Sequence, residues 1–220
     1  MADVLVAARE ASMVYGKGAA AVEAVAKATC SIEAGDRIAL VGPSGSGKST
    51  LLYLLAGLEP PSSGRISWPS LGDARAVSPV FAGFAFQLPN LLPALTAIEN
   101  VSVPLLIAGV DAVFARETAA SMLARFDLSD VADRYAEDLS AGQAERIGLA
   151  RALVCRPSMV LADEPTGQLD GPTATRVIDR LFDAADESAA AVIVATHDER
   201  IARRFRTRWT MRYGALETAS

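Results

Sequence analysis

The strongest chemical signal in the chain is one run of nine residues, Gly42-Pro43-Ser44-Gly45-Ser46-Gly47-Lys48-Ser49-Thr50. Glycines at 42, 45 and 47 let the backbone turn so that successive N–H groups converge on one concavity. A helix starting there adds the positive end of its dipole, which favours phosphate. At its offset, Lys48 reaches the β- and γ-phosphates of a nucleotide. The Ser49 hydroxyl takes a place on Mg²⁺, which keeps most of its other ligands as water and phosphate oxygen. A Gly/Ser-rich turn is the plain alternative. Against it, the lysine and hydroxyl fall at the required offsets, and the run lies between an apolar strand-like segment, Ile38-Ala39-Leu40-Val41, and the helix-like Ser49 to Leu55.

A second centre is Met159-Val160-Leu161-Ala162-Asp163-Glu164, an apolar strand ending in two carboxylates. Strand alternation is expected to separate their duties: Asp163 toward the Mg²⁺ shell near Ser49, Glu164 toward the γ-phosphate, where it polarises an attacking water. A positioned base of this kind contributes about 10²–10⁴-fold. Taken alone, the pair could be solvated acids opening a turn. The single histidine, His197, follows another apolar run, Ala191 to Ala195. Most lone histidines make a structural hydrogen bond, but the position after a strand argues for the site.

The elements that must hold these groups are legible in outline. Alternating apolar and polar residues at Val4-Leu5-Val6 and from Val22 to Ile32, with turn signals at Gly16-Lys17-Gly18 and Ala34-Gly35-Asp36, read as antiparallel strands leading into the loop strand. Gly64 to Trp68 and Val80 to Phe86 read as further strands. From Leu95 to Leu153 the spacing turns helical, with amphipathic stretches at Ile98 to Val101 and Ala115 to Phe126. Strand-like runs return at Met159 to Ala162 and Ala191 to Ala195, with a helix over Pro172 to Ala185 between them, which implies a right-handed parallel crossover. No internal repeat, heptad run or low-complexity tail is present.

With 220 residues and 51% hydrophobic content, the chain can build one sizeable α/β core. A net charge of −5 and a pI near 5.0 supply no general basic field, so no nucleic-acid partner is expected; the basic stretch Arg200 to Arg208 reads as surface charge. Apolar stretches such as Leu51 to Leu58 fall short of the roughly 20 residues that cross a bilayer. The start, Met1-Ala2-Asp3-Val4, lacks signal-peptide order. Cys30 and Cys155 show no metal-ligand spacing and read as reduced, packed side chains. A cytoplasmic location is the expectation.

Taken together, these residues resemble the nucleotide-binding subunits of ATP-binding cassette (ABC) systems over essentially the whole chain. Gln87, in Phe86-Gln87-Leu88, matches the family's glutamine loop, which contacts Mg²⁺ and a partner subunit. Leu139-Ser140-Ala141-Gly142-Gln143 and its continuation Arg146 to Ala152 match the signature motif and its helix, with Ser140, Gly142 and Gln143 retained. Asp170, in Thr166-Gly167-Gln168-Leu169-Asp170, matches the acid of the loop that crosses to the opposite subunit. His197 matches the switch histidine. Tyr15 matches the aromatic that stacks on adenine, a contact of about 1–3 kcal/mol if base stacking is a guide, although a tyrosine before Gly16 could equally cap a strand edge. Trp68 and Trp209 match no motif and read as packing residues.

The resemblance implies an α/β fold: a P-loop NTPase (RecA-like) core with an antiparallel β subdomain (residues 1–86 and 158–220) and an inserted helical subdomain (87–157). It also implies a Mg²⁺-dependent ATPase with Lys48, Gln87, Glu164 and His197 as catalytic residues. Two copies, or one copy and a homologous cassette, are expected to close head-to-tail around two ATP molecules, driving a separate integral membrane permease and holding the chain at the inner face of the membrane.

One departure stands out. The family usually has glycine where Ala141 stands; if that position needs a left-handed conformation, the methyl costs roughly 1–2 kcal/mol and weakens closure. The segment Arg65 to Gln87 is also short for the family. Leu55 to Gly64, Asn90 to Val101 and Pro104 to Gly109 look like the cassettes of the lipoprotein-release and macrolide-export group, whose partner has a large extracytoplasmic domain. The partner's coupling helix is expected near Gln87 to Leu95. Two other classes share the motifs: a regulatory cassette of a cell-division membrane complex, and a soluble cassette ATPase, which would usually join two cassettes or insert a coiled coil.

Overall fold

The computed structural model describes residues 3–71 and 80–218. Part of the short Arg65–Gln87 segment, residues 72–79, therefore lies outside the described residues. The strands are β1 (Val4–Tyr15), β2 (Val22–Glu33), β3 (Arg37–Val41), β4 (Ser63–Ser67), β5 (Ala82–Ala85), β6 (Met159–Asp163), β7 (Ala191–Thr196), β8 (Thr207–Arg212) and β9 (Ala215–Thr218). Six α-helices accompany them among the described residues: α1 (Lys48–Leu55), α2 (Ala97–Ile107), α3 (Ala112–Arg125), α4 (Ala141–Leu153), α5 (Gly171–Asp186) and α6 (Glu199–Ala202).

The strand order is β4-β1-β2-β9-β8-β3-β7-β6-β5. β1 pairs antiparallel with β2 and β4, in keeping with the alternating pattern of its sequence. β3, β7, β6 and β5 run parallel, with Val41 opposite Thr196 and Asp163 opposite Ala195. Their near-continuous apolar sequences suit strands covered on both faces.

Those faces are distinct. Ala39 and Val41, Val160 and Ala162, and Val192 and Val194 join one apolar cluster with α2 to α5. Their alternates Ile38, Leu40, Met159, Leu161 and Ile193 join a second with α1 and the antiparallel strands. α1 thus lies between the parallel strands and the β1–β2–β4 layer. Helices α2, α3 and α4 occupy the 87–157 span and share their apolar cluster with α5.

Helix ends follow local chemistry. Thr96 and Glu99 form a reciprocal capping box on α2, and Ser140 and Gln143 form another on α4. Asp170 caps α5, with Pro172 in its first turn. Trp68 donates its Nε1–H to the Leu55 carbonyl at 3.0 Å, and Trp209 is buried. Both cysteines are free thiols; burial pushes Cys30 up to about 12 and raises Cys155, so neither is a ready thiolate. In the basic stretch, Arg200 pairs with Asp198, Arg204 with Asp179 and Arg208 with Glu199. No described helix is long and apolar enough to cross a membrane.

Candidate active site

Four adjacent parallel strands end on one side of the sheet, and a candidate residue follows each: Gly42 after β3, His197 after β7, Glu164 after β6 and Gln87 beyond β5. Crevices at the carboxyl ends of parallel strands are where open α/β sheets bind ligands. Here the crevice is a cavity of about 990 Å³. Its walls include Tyr15, Ser44 to Thr50, Gln87, Asp163, Glu164 and His197. The fold therefore gathers most of the candidates from separate stretches of chain.

The loop is built from beneath. Gly47 has φ +101, and a Cβ there would lie 2.0 Å from the Ala24 carbonyl oxygen of β2; one on Gly42 would lie 2.3 Å from that of Met211 in β8. Gly214 donates its N–H to the Ser46 carbonyl at 3.1 Å. Lys48 opens α1, is 7% exposed, and donates from Nζ to the carbonyls of Gly42 (3.0 Å) and Pro43 (3.2 Å). Gly42 and Pro43 thus form the base of the loop and leave the wall to residues 44–50.

Asp163 ends β6 at 1% exposure, and neither of its oxygens has a hydrogen-bond partner. Burial raises its pKa; the neighbouring Ser49 hydroxyl pulls the other way without reaching hydrogen-bond geometry. An orphaned buried carboxylate beside a hydroxyl fits a hard cation that keeps most of its shell as water and phosphate oxygen. Ser46 Oγ, also buried and unpartnered, lies in the same loop.

Glu164 departs from the expectation of alternation. It lies one residue beyond β6 with φ +49, a left-handed conformation rare for glutamate. Both carboxylates consequently line one cavity. Its N–H still donates to Ala195 at 2.9 Å, so the chain leaves the sheet only after this residue. Oε1 stands 3.9 Å from Lys48 Nζ, and Oε2 lies 2.9 Å from His197 Nδ1. Tyr15, at the end of β1, is 41% exposed, and its hydroxyl donates to Glu59 at 2.6 Å, leaving the ring on the cavity wall.

Ser140, Gly142, Gln143 and Asp170 are not on the walls of this cavity. Ser140 Oγ accepts from the Gln143 N–H while Gln143 Oε1 accepts from the Ser140 N–H. Asp170 accepts from the N–H and hydroxyl of Thr173, bonds that hold its carboxyl below the usual range. Ala141 is the first residue of α4 and is not among the positive-φ residues. The expected left-handed penalty is therefore overturned: the Ser140 cap places residue 141 in ordinary helical backbone.

Sequence reading missed Glu145. It is 6% exposed, lines the cavity, and accepts the Gln168 N–H on Oε1 at 3.0 Å. The available signal was helical spacing, since residue 145 lies one turn beyond Ala141 on the same face.

Residues 25–167 match the protein family described as ABC transporter. The chain is 39% identical over 223 residues to the lipoprotein-releasing system ATP-binding protein LolD of Legionella pneumophila (strain Paris), covering 98% of each chain. It is 41% identical over 220 residues to LolD 2 of Rhodospirillum rubrum, covering 96% of this chain and 95% of that one. Among solved structures, the ATP-binding cassette MJ0796, determined as a dimer in a post-hydrolysis state bound to ADP and Pi, matches with a TM-score of 0.89 at 31% identity. The match covers 97% of this chain and 98% of that one.

Proposed function

This chain belongs to the ABC transporter family and is an ATP-hydrolysing subunit; from that premise we propose that two copies close head-to-tail on ATP to drive a membrane permease of the lipoprotein-releasing type. The observation that carries the dimer is the division of the candidates. Residues 44–50, Asp163, Glu164 and His197 share one cavity, whereas Ser140, Gly142, Gln143 and Asp170 lie off its walls, with Ser140 and Gln143 bonded to each other and Asp170 to Thr173.

In this reading the backbone N–H groups of residues 44–49 cradle the phosphates. Lys48 exchanges its loop carbonyls for β- and γ-phosphate oxygens, and Tyr15 stacks on the base. Ser49 and Asp163, with Gln87, would hold Mg²⁺, which neutralises phosphate charge when bound. Glu164 accepts a proton from the attacking water as the bond from the γ-phosphorus to its bridging oxygen breaks, leaving ADP and phosphate. His197 orients Glu164 and faces the γ-phosphate. Loss of the γ-phosphate removes contacts that favour the closed dimer, which converts hydrolysis into opening.

The span 87–157 serves as the arm that meets the permease and holds the chain at the membrane. Leu88 is 76% exposed beside Gln87, and a groove of about 350 Å³ lined by Phe84, Phe86, Leu92 and Pro104 adjoins it. Exposed apolar side chains next to a nucleotide-sensing loop suit a coupling helix. The LolD relatives point to lipoprotein release as the work done.

The test is ATP hydrolysis and dimerisation of the wild type and Glu164→Gln with Mg²⁺ across protein concentration. Greater than linear turnover in the wild type, with an ATP-trapped dimer in the variant, is the expected result. Turnover strictly linear in concentration, with no trapped dimer, counts against the composite site.

A further inference from the structure

Two contacts join the start of α4 to the loop after Glu164. Glu145 Oε1 accepts the Gln168 N–H, and Leu169 packs against Gly142 so closely that a Cβ on the glycine would lie 2.7 Å from Leu169 Cδ2. Between Glu164 and this anchor the loop closes on itself, with Gly167 N–H donating to the Glu164 carbonyl at 3.1 Å and Leu169 N–H to Thr166 at 3.2 Å. A short loop pinned at Glu164 by β7 and at Gln168 by α4 has little freedom of its own. Any shift of α4 is therefore transmitted to the backbone that aims Glu164.

The anchor is an unusual choice for a buried position. Glu145 Oε2 is shielded from solvent with no hydrogen-bond partner. A packing role alone would be met better by an apolar side chain, because an unsatisfied buried polar atom carries a desolvation cost. What an apolar side chain lacks is an acceptor for Gln168. Burial raises the Glu145 pKa, opposed by that hydrogen bond, and a glutamine amide oxygen would offer Gln168 an acceptor of the same reach.

We propose that Glu145 is a positioning residue that latches the loop of residues 164–169 to α4, so that closure of α4 on a second copy's nucleotide is felt at Glu164 of its own chain. The proposal rests on the reading of Glu164 as the hydrolytic base, and it links the two nucleotide sites through one hydrogen bond within each chain.

The experiment uses the full chain with ATP and Mg²⁺, measuring kcat and KM together with hydrogen exchange at the Gln168 amide. Glu145→Ala is expected to speed that exchange and lower kcat by about tenfold with KM within about twofold, the size of one lost hydrogen bond. Glu145→Met, which keeps volume and offers only a weak thioether acceptor, is expected to do the same and serves if the alanine variant does not fold. Glu145→Gln restores the acceptor and is expected to stay within about twofold of the parent in both readouts. Unchanged exchange in the alanine and methionine variants, or a glutamine variant as impaired as they are, overturns the latch. Glu164→Gln is the control: if it still turns over, the assignment of the base fails, while amide exchange continues to report on the latch.

Discussion

Glu164 and His197, 33 residues apart in sequence, meet through a 2.9 Å contact between Oε2 and Nδ1, with the His197 N–H also directed at Oε2 at 3.4 Å. The two partners differ in exposure: the Glu164 side chain is 13% exposed and that of His197 72%. The carboxylate is therefore held from within by the sheet and the loop lysine, while the imidazole reaches out over the cavity. A carboxylate fixed on one side and contacted from the solvent side can respond to what occupies the space between.

His197→Ala removes the contact without disturbing a buried group. Hydrogen bonds to charged groups contribute about 1.5–3 kcal/mol, so kcat is expected to fall about 10–100-fold with ATP affinity nearly unchanged. Steady-state phosphate release and nucleotide titration separate the two; a large rise in KM with kcat intact would contradict the assignment.

Asp163→Asn separates stability from turnover. The parent carries a buried carboxylate with no partner and a raised pKa caused chiefly by burial. The folded state thus holds its proton more tightly than the unfolded state. Asp163 consequently costs stability increasingly as pH rises from the ordinary aspartate range through the elevated folded value. Without nucleotide, the asparagine variant is expected to melt higher at neutral pH, by an amount of about 1–3 kcal/mol. The difference should shrink as pH falls, while Mg²⁺-dependent hydrolysis is lost. Melting curves taken from about pH 3, below the ordinary aspartate value, up to neutral pH test the sign.

Two glycines of one loop predict different outcomes. Gly45 has φ +75 with open space where a methyl would sit, so Gly45→Ala costs roughly 1–2 kcal/mol of backbone strain. Gly47 has φ +101, and a backbone oxygen lies 2.0 Å from the place its Cβ would take, which forces the loop off β2. Gly47→Ala is expected to abolish ATP binding, and Gly45→Ala to weaken it modestly, as read by nucleotide titration and thermal shift.

At Ala141 the helical backbone removes any conformational gain from glycine. Ala141→Gly is expected to lower stability by at most about 1 kcal/mol and to leave turnover within about twofold. A large rise in ATP-driven dimerisation would instead show that the methyl crowds a second copy.

The loop at 42–50, the acid pair and the histidine were legible because their chemistry is local: short offsets decide whether N–H groups, a lysine and a hydroxyl can converge. Helix starts at Thr96, Ser140 and Asp170 were encoded just as locally, since a side-chain oxygen caps N–H groups two or three residues on. The parallel run over β6 and β7 followed from apolar segments separated by a helix.

Other features depended on partners distant in sequence. Nothing local to Glu164 distinguishes a strand residue from one in left-handed backbone; its conformation exists because its N–H is held by Ala195 while the following loop is pulled toward α4. Glu145 reads as an ordinary solvated helix acid until α4 packs on residues 167–169. Residue types and short spacings marked out the groups proposed to bind phosphate and move a proton. Only the tertiary structure decided where those groups meet and which way they face, because strand order and helix packing depend on burying two apolar faces of a sheet at once.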